Sequence, residues 1–225
     1  MTTTPLGVRP GTSEDREVTG PAVEEAVGRV RHAPGPALAA VHEPDLPAAS
    51  AGARLLLQAL GVDLAVESLA RTPERMAAAL AELVTPRPFR LTTFPNDGGY
   101  DELIVARSIP VRSLCEHHML PFTGTAHIGY LPGERIVGLS KLARVMEHFS
   151  CRPQVQERLT VQVAEWLWTQ LSPAGVGVVI EAEHLCMTLR GVQAPGSSTI
   201  TSSLLGVLRE DARSRAEFLA LTGAR

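Results

Sequence analysis

The sequence predicts an α+β domain from about residue 50 onward, and two observations carry that expectation. Apolar residues recur at helical spacing in several stretches, most plainly Val155, Leu159, Val163, Leu167 and Leu171, each four apart. Between such stretches lie short runs rich in β-branched and aromatic residues, such as Gly124–Leu131 (GTAHIGYL), closed by the turn pair Pro132-Gly133.

Taken in order, residues 1–48 are rich in Pro, Gly, Ala, Glu and Thr and show no sustained period. They cannot bury enough apolar surface to offset the entropy of ordering, and are expected to form a flexible tail. A helical segment follows over 49–92. Leu55, Leu56, Ala59 and Leu60 give one helical face that Gly61 is placed to end. A second helix is expected from Thr72-Pro73-Glu74, with a capping hydroxyl, Pro in the first turn and an acid near the positive end of the helix dipole; Thr85-Pro86-Arg87-Pro88 stops it.

The main domain spans 93–225. Leu103-Ile104-Val105 opens a strand running toward Arg112, Gly124–Leu131 is a second and Ile136–Leu139 a short third. Ser140 is expected to cap a helix whose apolar positions are Leu142, Val145, Met146 and Phe149, ended by Arg152-Pro153. After the helix of Val155 to Leu171, Val176–Ile180 begins a buried strand expected to continue to Arg190. Thr199–Leu208 is another, and Asp211 caps a last helix ending near Thr222.

Charge narrows the classes of partner. Of 21 basic residues only Lys141 is a lysine; the first 50 residues hold 4 Arg against 7 acids, so the net charge of −3 sits there and the rest is neutral. A neutral body without a Lys/Arg run lacks the clustered positive charge that a nucleic-acid or polybasic membrane surface needs. No apolar run approaches the roughly 18–20 residues that span a bilayer, and the first residues lack the pattern of a signal peptide. The expected location is the cytoplasm. Three cysteines, an odd number with no secretory signal, speak for thiolate or metal chemistry rather than a disulfide framework.

That chemistry concentrates in two clusters. Ser113-Leu114-Cys115-Glu116-His117-His118 places a thiol and two imidazoles within four residues, and His184-Leu185-Cys186 follows 66 residues after His118. Thiolate and imidazole together are the ligand set of Zn²⁺, which takes four protein ligands in a structural site and three plus water in a catalytic one. If 184–190 is extended, His184, Cys186, Thr188 and Arg190 share one face, leaving Leu185, Met187 and Leu189 to pack on the other. Lys141 and Arg144 lie in the first turn of their helix, where the dipole disfavours cations, a placement that makes sense if an anion sits between them. Gln156 and Glu157 open the next helix, and a carboxylate there can accept two hydrogen bonds from a guanine.

Together these motifs resemble GTP cyclohydrolase I. The carriers are SLCEHHMLPFTGTAHIGYLP (113–132), GLSKLARVMEHFS (138–150), RPQVQERLT (152–160) and EAEHLCMTLRGV (181–192), with REDARSRAEFL (209–219) weaker. The resemblance covers roughly residues 47–222. It implies Cys115, His118 and Cys186 as zinc ligands with water in the fourth position, and His117 and His184 as proton-transfer residues. It further implies Glu157, with Gln156 beside it, at the guanine ring, and Ser140 near the ribose. Lys141, Arg144 and Arg190 would bind the triphosphate, with Arg75 contributed by a neighbouring subunit. The implied reaction converts GTP to 7,8-dihydroneopterin triphosphate and formate, the first step toward tetrahydrofolate or, alternatively, a 7-deazapurine. The implied architecture is a tunnelling fold, an antiparallel sheet backed by helices, assembled into a toroidal homodecamer. A different reading of the same clusters is a non-catalytic protein whose Cys115, His118, His184 and Cys186 close a four-ligand structural zinc site. Against the family pattern, Ala78 replaces a second basic residue three positions after Arg75, Thr85–Tyr100 is short and Pro-rich, and Cys151 reads as a bystander.

Overall fold

The computed structural model of the protein describes residues 43–223, and the tail assigned to 1–48 lies outside the described residues except at its end. Helix α1 (Leu46–Ala59) starts within that end, because the Asp45 carboxylate accepts from the Ala48 N–H at 2.9 Å and Pro47 needs no donor partner in the first turn. Its expected apolar face is uncovered within the described chain: Leu55 and Leu60 are 69% and 71% exposed. Helix α2 (Thr72–Val84) packs on α1, helped by an Arg54–Glu74 ion pair at 3.2 Å. Its start differs from expectation, since Arg71 takes the cap position and no side chain caps it.

Strand β1 (Thr93–Pro95) lies in the stretch read as a connection. The elements that follow are β2 (Ile104–Cys115), β3 (Pro121–Leu131), β4 (Arg135–Val137), α3 (Leu139–Ser150), β5 (Pro153–Gln154) and α4 (Gln156–Leu171). After them come β6 (Gly175–His184), α5 (Leu185–Thr188), β7 (Thr199–Gly206), α6 (Val207–Glu210) and α7 (Ala212–Thr222). β1 pairs antiparallel with β4, and Arg135 Nε donates to Thr93 Oγ1 at 2.8 Å across the pair. The main sheet has the order β5-β2-β3-β6-β7, antiparallel except for the short β2–β5 pairing. This is the expected α+β class, an antiparallel sheet backed by helices.

Strand alternation assigns the two faces. Ala126, Ile128 and Tyr130 of β3 stand opposite Ile180, Val178 and Val176 of β6, and all six are buried beneath α3 and α4. Leu159, Val163 and Leu167, read from the four-residue spacing, are the fully buried side of α4. The other face has no room for side chains at its centre. Gly129 and Gly177 are cross-strand partners, and the Phe218 ring of α7 lies over both; an added Cβ would sit 2.8 Å and 2.7 Å from ring atoms. Asp211 caps α7 as expected, accepting from Ser214 N at 2.7 Å. Ser140, by contrast, is not a cap, because α3 begins at Leu139 with Gly138 in the cap position.

The expected strand to Arg190 ends early. β6 stops at His184, opposite Phe122 near the start of β3, and its other neighbour β7 pairs no further than Ala182↔Thr199. Past that point no strand lies alongside to accept ladder hydrogen bonds, so the backbone satisfies itself locally: Leu189 N donates to Leu185 O at 3.1 Å. The shared face of His184, Cys186, Thr188 and Arg190 therefore does not form. Nor does the packed apolar face, for Met187 and Leu189 are exposed.

Candidate active site

The first cluster is a tight turn at the end of β2. Cys115 N donates to Leu120 O and Met119 N to Cys115 O, both at 2.8 Å, and Met119 adopts a left-handed φ of 55° to close it. The turn brings both neighbouring imidazoles to the thiol: His117 Nδ1 and His118 Nδ1 each lie 3.8 Å from Cys115 Sγ. Cys186, carried in by α5, separates the two candidates. Only His118 joins Cys115 and Cys186 in a group whose ligand atoms all lie within 4.8 Å of one another, among the described residues. Tetrahedral zinc with ordinary Zn–S and Zn–N bonds spaces its ligand atoms about 3.6–3.8 Å apart. The donor set and its spacing thus fit zinc, and the three-residue set leaves one position open. Burial, reinforced by the neighbouring Cys115, holds the Cys186 thiol above its ordinary value, while Arg190 pulls it down. A cation between the two sulfurs would reverse that penalty.

His184 stands at the end of β6, its ring stacked on Phe122 of β3 with centroids 4.5 Å apart and planes 10° from parallel. Its partner is Gln156, at the start of α4. The buried Gln156 amide nitrogen donates to Ile180 O at 3.0 Å, to Thr199 O at 2.9 Å and toward Thr201 Oγ1 at 3.1 Å. Those contacts fix the amide orientation and leave Oε1 facing His184 Nε2 at 2.8 Å. An amide oxygen only accepts, so His184 Nε2 carries the proton and Nδ1 the lone pair. Burial depresses the His184 pKa and the Glu157 carboxylate partly opposes it. Cys115, His117, His118, Gln156, Glu157, His184 and Cys186 all line one cavity of about 220 Å³.

Comparison with known proteins gives the family. The family model described as GTP cyclohydrolase I matches residues 49–223. The chain belongs to the GTP cyclohydrolase I family. Among its relatives, GTP cyclohydrolase 1 of Synechococcus sp. (strain JA-3-3Ab) is 53% identical over 179 residues, covering 78% of each chain. GTP cyclohydrolase 1 of Aquifex aeolicus is 51% identical over 168 residues, 75% of this chain and 91% of its own. Among solved structures, the apo archaeosine synthase QueF-Like superposes on 46% of this chain and 93% of its own, with a TM-score of 0.39 and 14% identity.

As a GTP cyclohydrolase I family enzyme, the protein gathers only part of its expected site within one chain. The metal and histidine residues converge with Glu157, which is exposed at the cavity. Ser140, Lys141, Arg144, Arg190 and Arg75 are absent from that cavity's lining. Arg144 pairs with Glu147 at 3.0 Å, and Glu147 is also held by Arg87. Arg75 donates to Ser68 O at 2.9 Å. Lys141 is partly buried and forms no ion pair among the described residues, and Ser140 is exposed. Gln156, expected beside the guanine, is 1% exposed with its amide committed to backbone, Thr201 and His184. Sequence reasoning missed this orienting role and the stacking of Phe122. The signal for Phe122 lies in strand register, which sets it opposite His184.

One consequence is measurable. Gln156→Met keeps the volume but leaves the His184 Nε2–H without its acceptor and removes the amide's hydrogen bonds to Ile180 O and Thr199 O. We expect kcat to fall about 10²-fold, within the range general acid–base groups contribute, while zinc content stays at the parent value. Unchanged kcat in a folded variant would show that the ring is oriented by something else.

No helix among the described residues is long and apolar enough to cross a membrane.

Proposed function

We propose that this protein is a zinc-dependent GTP cyclohydrolase I that converts GTP and water to 7,8-dihydroneopterin triphosphate and formate. The observation that carries the reading is the convergence, in one cavity, of three zinc-type donors with an imidazole oriented by Gln156 and the Glu157 carboxylate. Cys115, His118 and Cys186 would hold the metal, which when bound supplies Lewis-acid activation of water. Glu157 accepts hydrogen bonds from the guanine N–H groups and so orients the base. His184, with its Nε2 proton held by Gln156, takes a proton at Nδ1 and delivers it to the imidazole nitrogen of the purine as water adds to C8. His117, exposed beside the turn, exchanges the further protons as the formamide is hydrolysed. Two water additions and one loss of water on ring closure leave a net consumption of one water.

The triphosphate requires more than one chain. The cavity is smaller than the roughly 300–1,000 Å³ of ordinary small-molecule sites. The phosphate-reading set of Ser140, Lys141, Arg144, Arg190 and a neighbouring copy's Arg75 would complete it through association, and the family resemblance makes that assembly a toroidal homodecamer. Exposed Leu55, Leu60, Leu189 and Val192 support an apolar contribution to such contacts. The product would enter tetrahydrofolate synthesis, in the cytoplasm.

The test is direct. Zinc-replete protein incubated with GTP is expected to release one formate per GTP and a product that oxidises to a fluorescent pterin. A correctly assembled, zinc-loaded sample that releases no formate overturns the proposal.

A further inference from the structure

The Cys115–His118 turn is fastened to α4 by a side chain that neither holds a metal nor lines the cavity. Glu116 lies between the two ligand positions, and it is tied down twice. Its backbone N–H donates to Gln154 O at 3.1 Å, where β5 runs beside the end of β2. Its carboxylate is ion-paired with the Arg158 guanidinium, in the first turn of α4. Arg158 is itself aimed: Nε donates to Gln154 Oε1 at 3.0 Å, and the fully buried Gln154 amide donates in turn to Phe149 O at 3.0 Å and Gln162 Oε1 at 2.8 Å. Two of the three guanidinium nitrogens are thereby engaged, Nε on the buried amide and Nη2 on the carboxylate.

Two physical consequences follow. A guanidinium already held at Nε by Gln154 loses less freedom on binding a carboxylate than a free side chain would, so the Glu116 contact is pre-organised. And Glu116 is a carboxylate within a turn that already carries Cys115, facing a second thiol on Cys186. Its carboxylate oxygens lie outside the ligand group formed by Cys115, His118 and Cys186. Without its cation it would be an unpaired anion one residue from a ligand, free to swing toward a metal. As a surface ion pair the contact is worth little to global stability. Its importance lies in where it acts.

We infer that Arg158 is a positioning residue of the metal centre: through Glu116 it fixes the turn that presents Cys115 and His118 and keeps the Glu116 carboxylate out of the coordination sphere. This rests on the metal reading given above. The experiment is a zinc-affinity measurement by chelator competition on the full-length protein, for the parent, Arg158→Ala, Arg158→Lys, Glu116→Gln and the double Arg158→Ala/Glu116→Gln. Substitutions behind metal ligands weaken binding about 10–100-fold, and Arg158→Ala is expected in that range. Arg158→Lys recovers part of the loss, and the double variant is no weaker than Arg158→Ala alone, because both changes cut one contact. The visible spectrum of the cobalt-substituted protein is a second readout: a shifted ligand-field band in Arg158→Ala, restored by adding Glu116→Gln, reports the stray carboxylate. A parent that binds no zinc overturns the metal reading and this inference with it. A parent that binds zinc, alongside a folded Arg158→Ala with affinity within twofold and an unshifted cobalt spectrum, overturns the positioning role alone.

Discussion

Cys186→Ala is expected to lose bound zinc and, with it, formate release from GTP. Cys186 is one of three donors, and the other two reside on a single turn, so the metal would be left with the Cys115–His118 pair and no ligand from the opposite side. Removal of a direct ligand costs more than the 10–100-fold in affinity typical of groups one layer further out. His184→Ala makes the informative contrast. Its ring is occupied by Gln156 and Phe122, so zinc stays at parent stoichiometry while turnover falls about 10²–10⁴-fold, the contribution of a general acid–base group. Metal analysis beside a formate assay checks both. Loss of zinc in both variants would support a structural site in which His184 is a fourth ligand, and retention of zinc by Cys186→Ala would remove the triad as the metal centre.

Phe218→Ala is expected to cost about 3–5 kcal/mol of stability, the usual penalty for emptying a large aromatic from a core. Collapse is limited from the sheet side: Phe218 is fully buried over Gly129 and Gly177, two residues with no side chain to move into the void. The same geometry makes Gly177→Ala unfavourable for the opposite reason, since its Cβ would meet the ring at 2.7 Å. Both variants should lower the midpoint in thermal unfolding. Phe218→Ala paired with the parent midpoint would show that α7 contributes nothing to the sheet. A loss confined to α7 would leave the opposite face, with its α3–α4 core, intact.

Where periodicity had a single solution, it was enough to read the element. The four-residue spacing from Val155 to Leu171 has one amphipathic solution, and α4 buries Leu159, Val163, Leu167 and Leu171 accordingly. Gly124–Leu131 reads as a strand for the same reason, because its turn signal and alternation agree, although the pairing extends it back to Pro121. The short apolar residues around 185–190 had two solutions. Alternation of Leu185, Met187 and Leu189 reads as a strand, yet a strand needs a neighbour, and whether one lies alongside is decided by where β3 and β7 end. Caps divide likewise. Asp211 caps because its carboxylate is short and precedes free N–H groups, whereas Ser140 and Thr72 fall one or two residues inside helices whose starts are set by packing.

The candidate site follows the same division. The sequence by itself carried the resemblance to the family through its four quoted motifs, and residue chemistry and spacing marked the Cys-x-x-His turn and the distant His-x-Cys as candidate metal donors, since thiolates and imidazoles clustered at such spacing suit zinc. The resemblance implied His118 and not His117 as the third donor, and the tertiary structure supplies a geometric reason: the two rings are equidistant from Cys115, but among the described residues only His118 also comes close to Cys186. The tertiary structure likewise shows Gln156, expected beside the guanine, as a buried amide hydrogen-bonded to His184, and it pairs Arg158, to which sequence reasoning assigned no role, with Glu116. Those choices depend on contacts 28 and 42 residues apart in sequence, which no local pattern encodes because the burial that enforces them exists only after the sheet and α4 have packed.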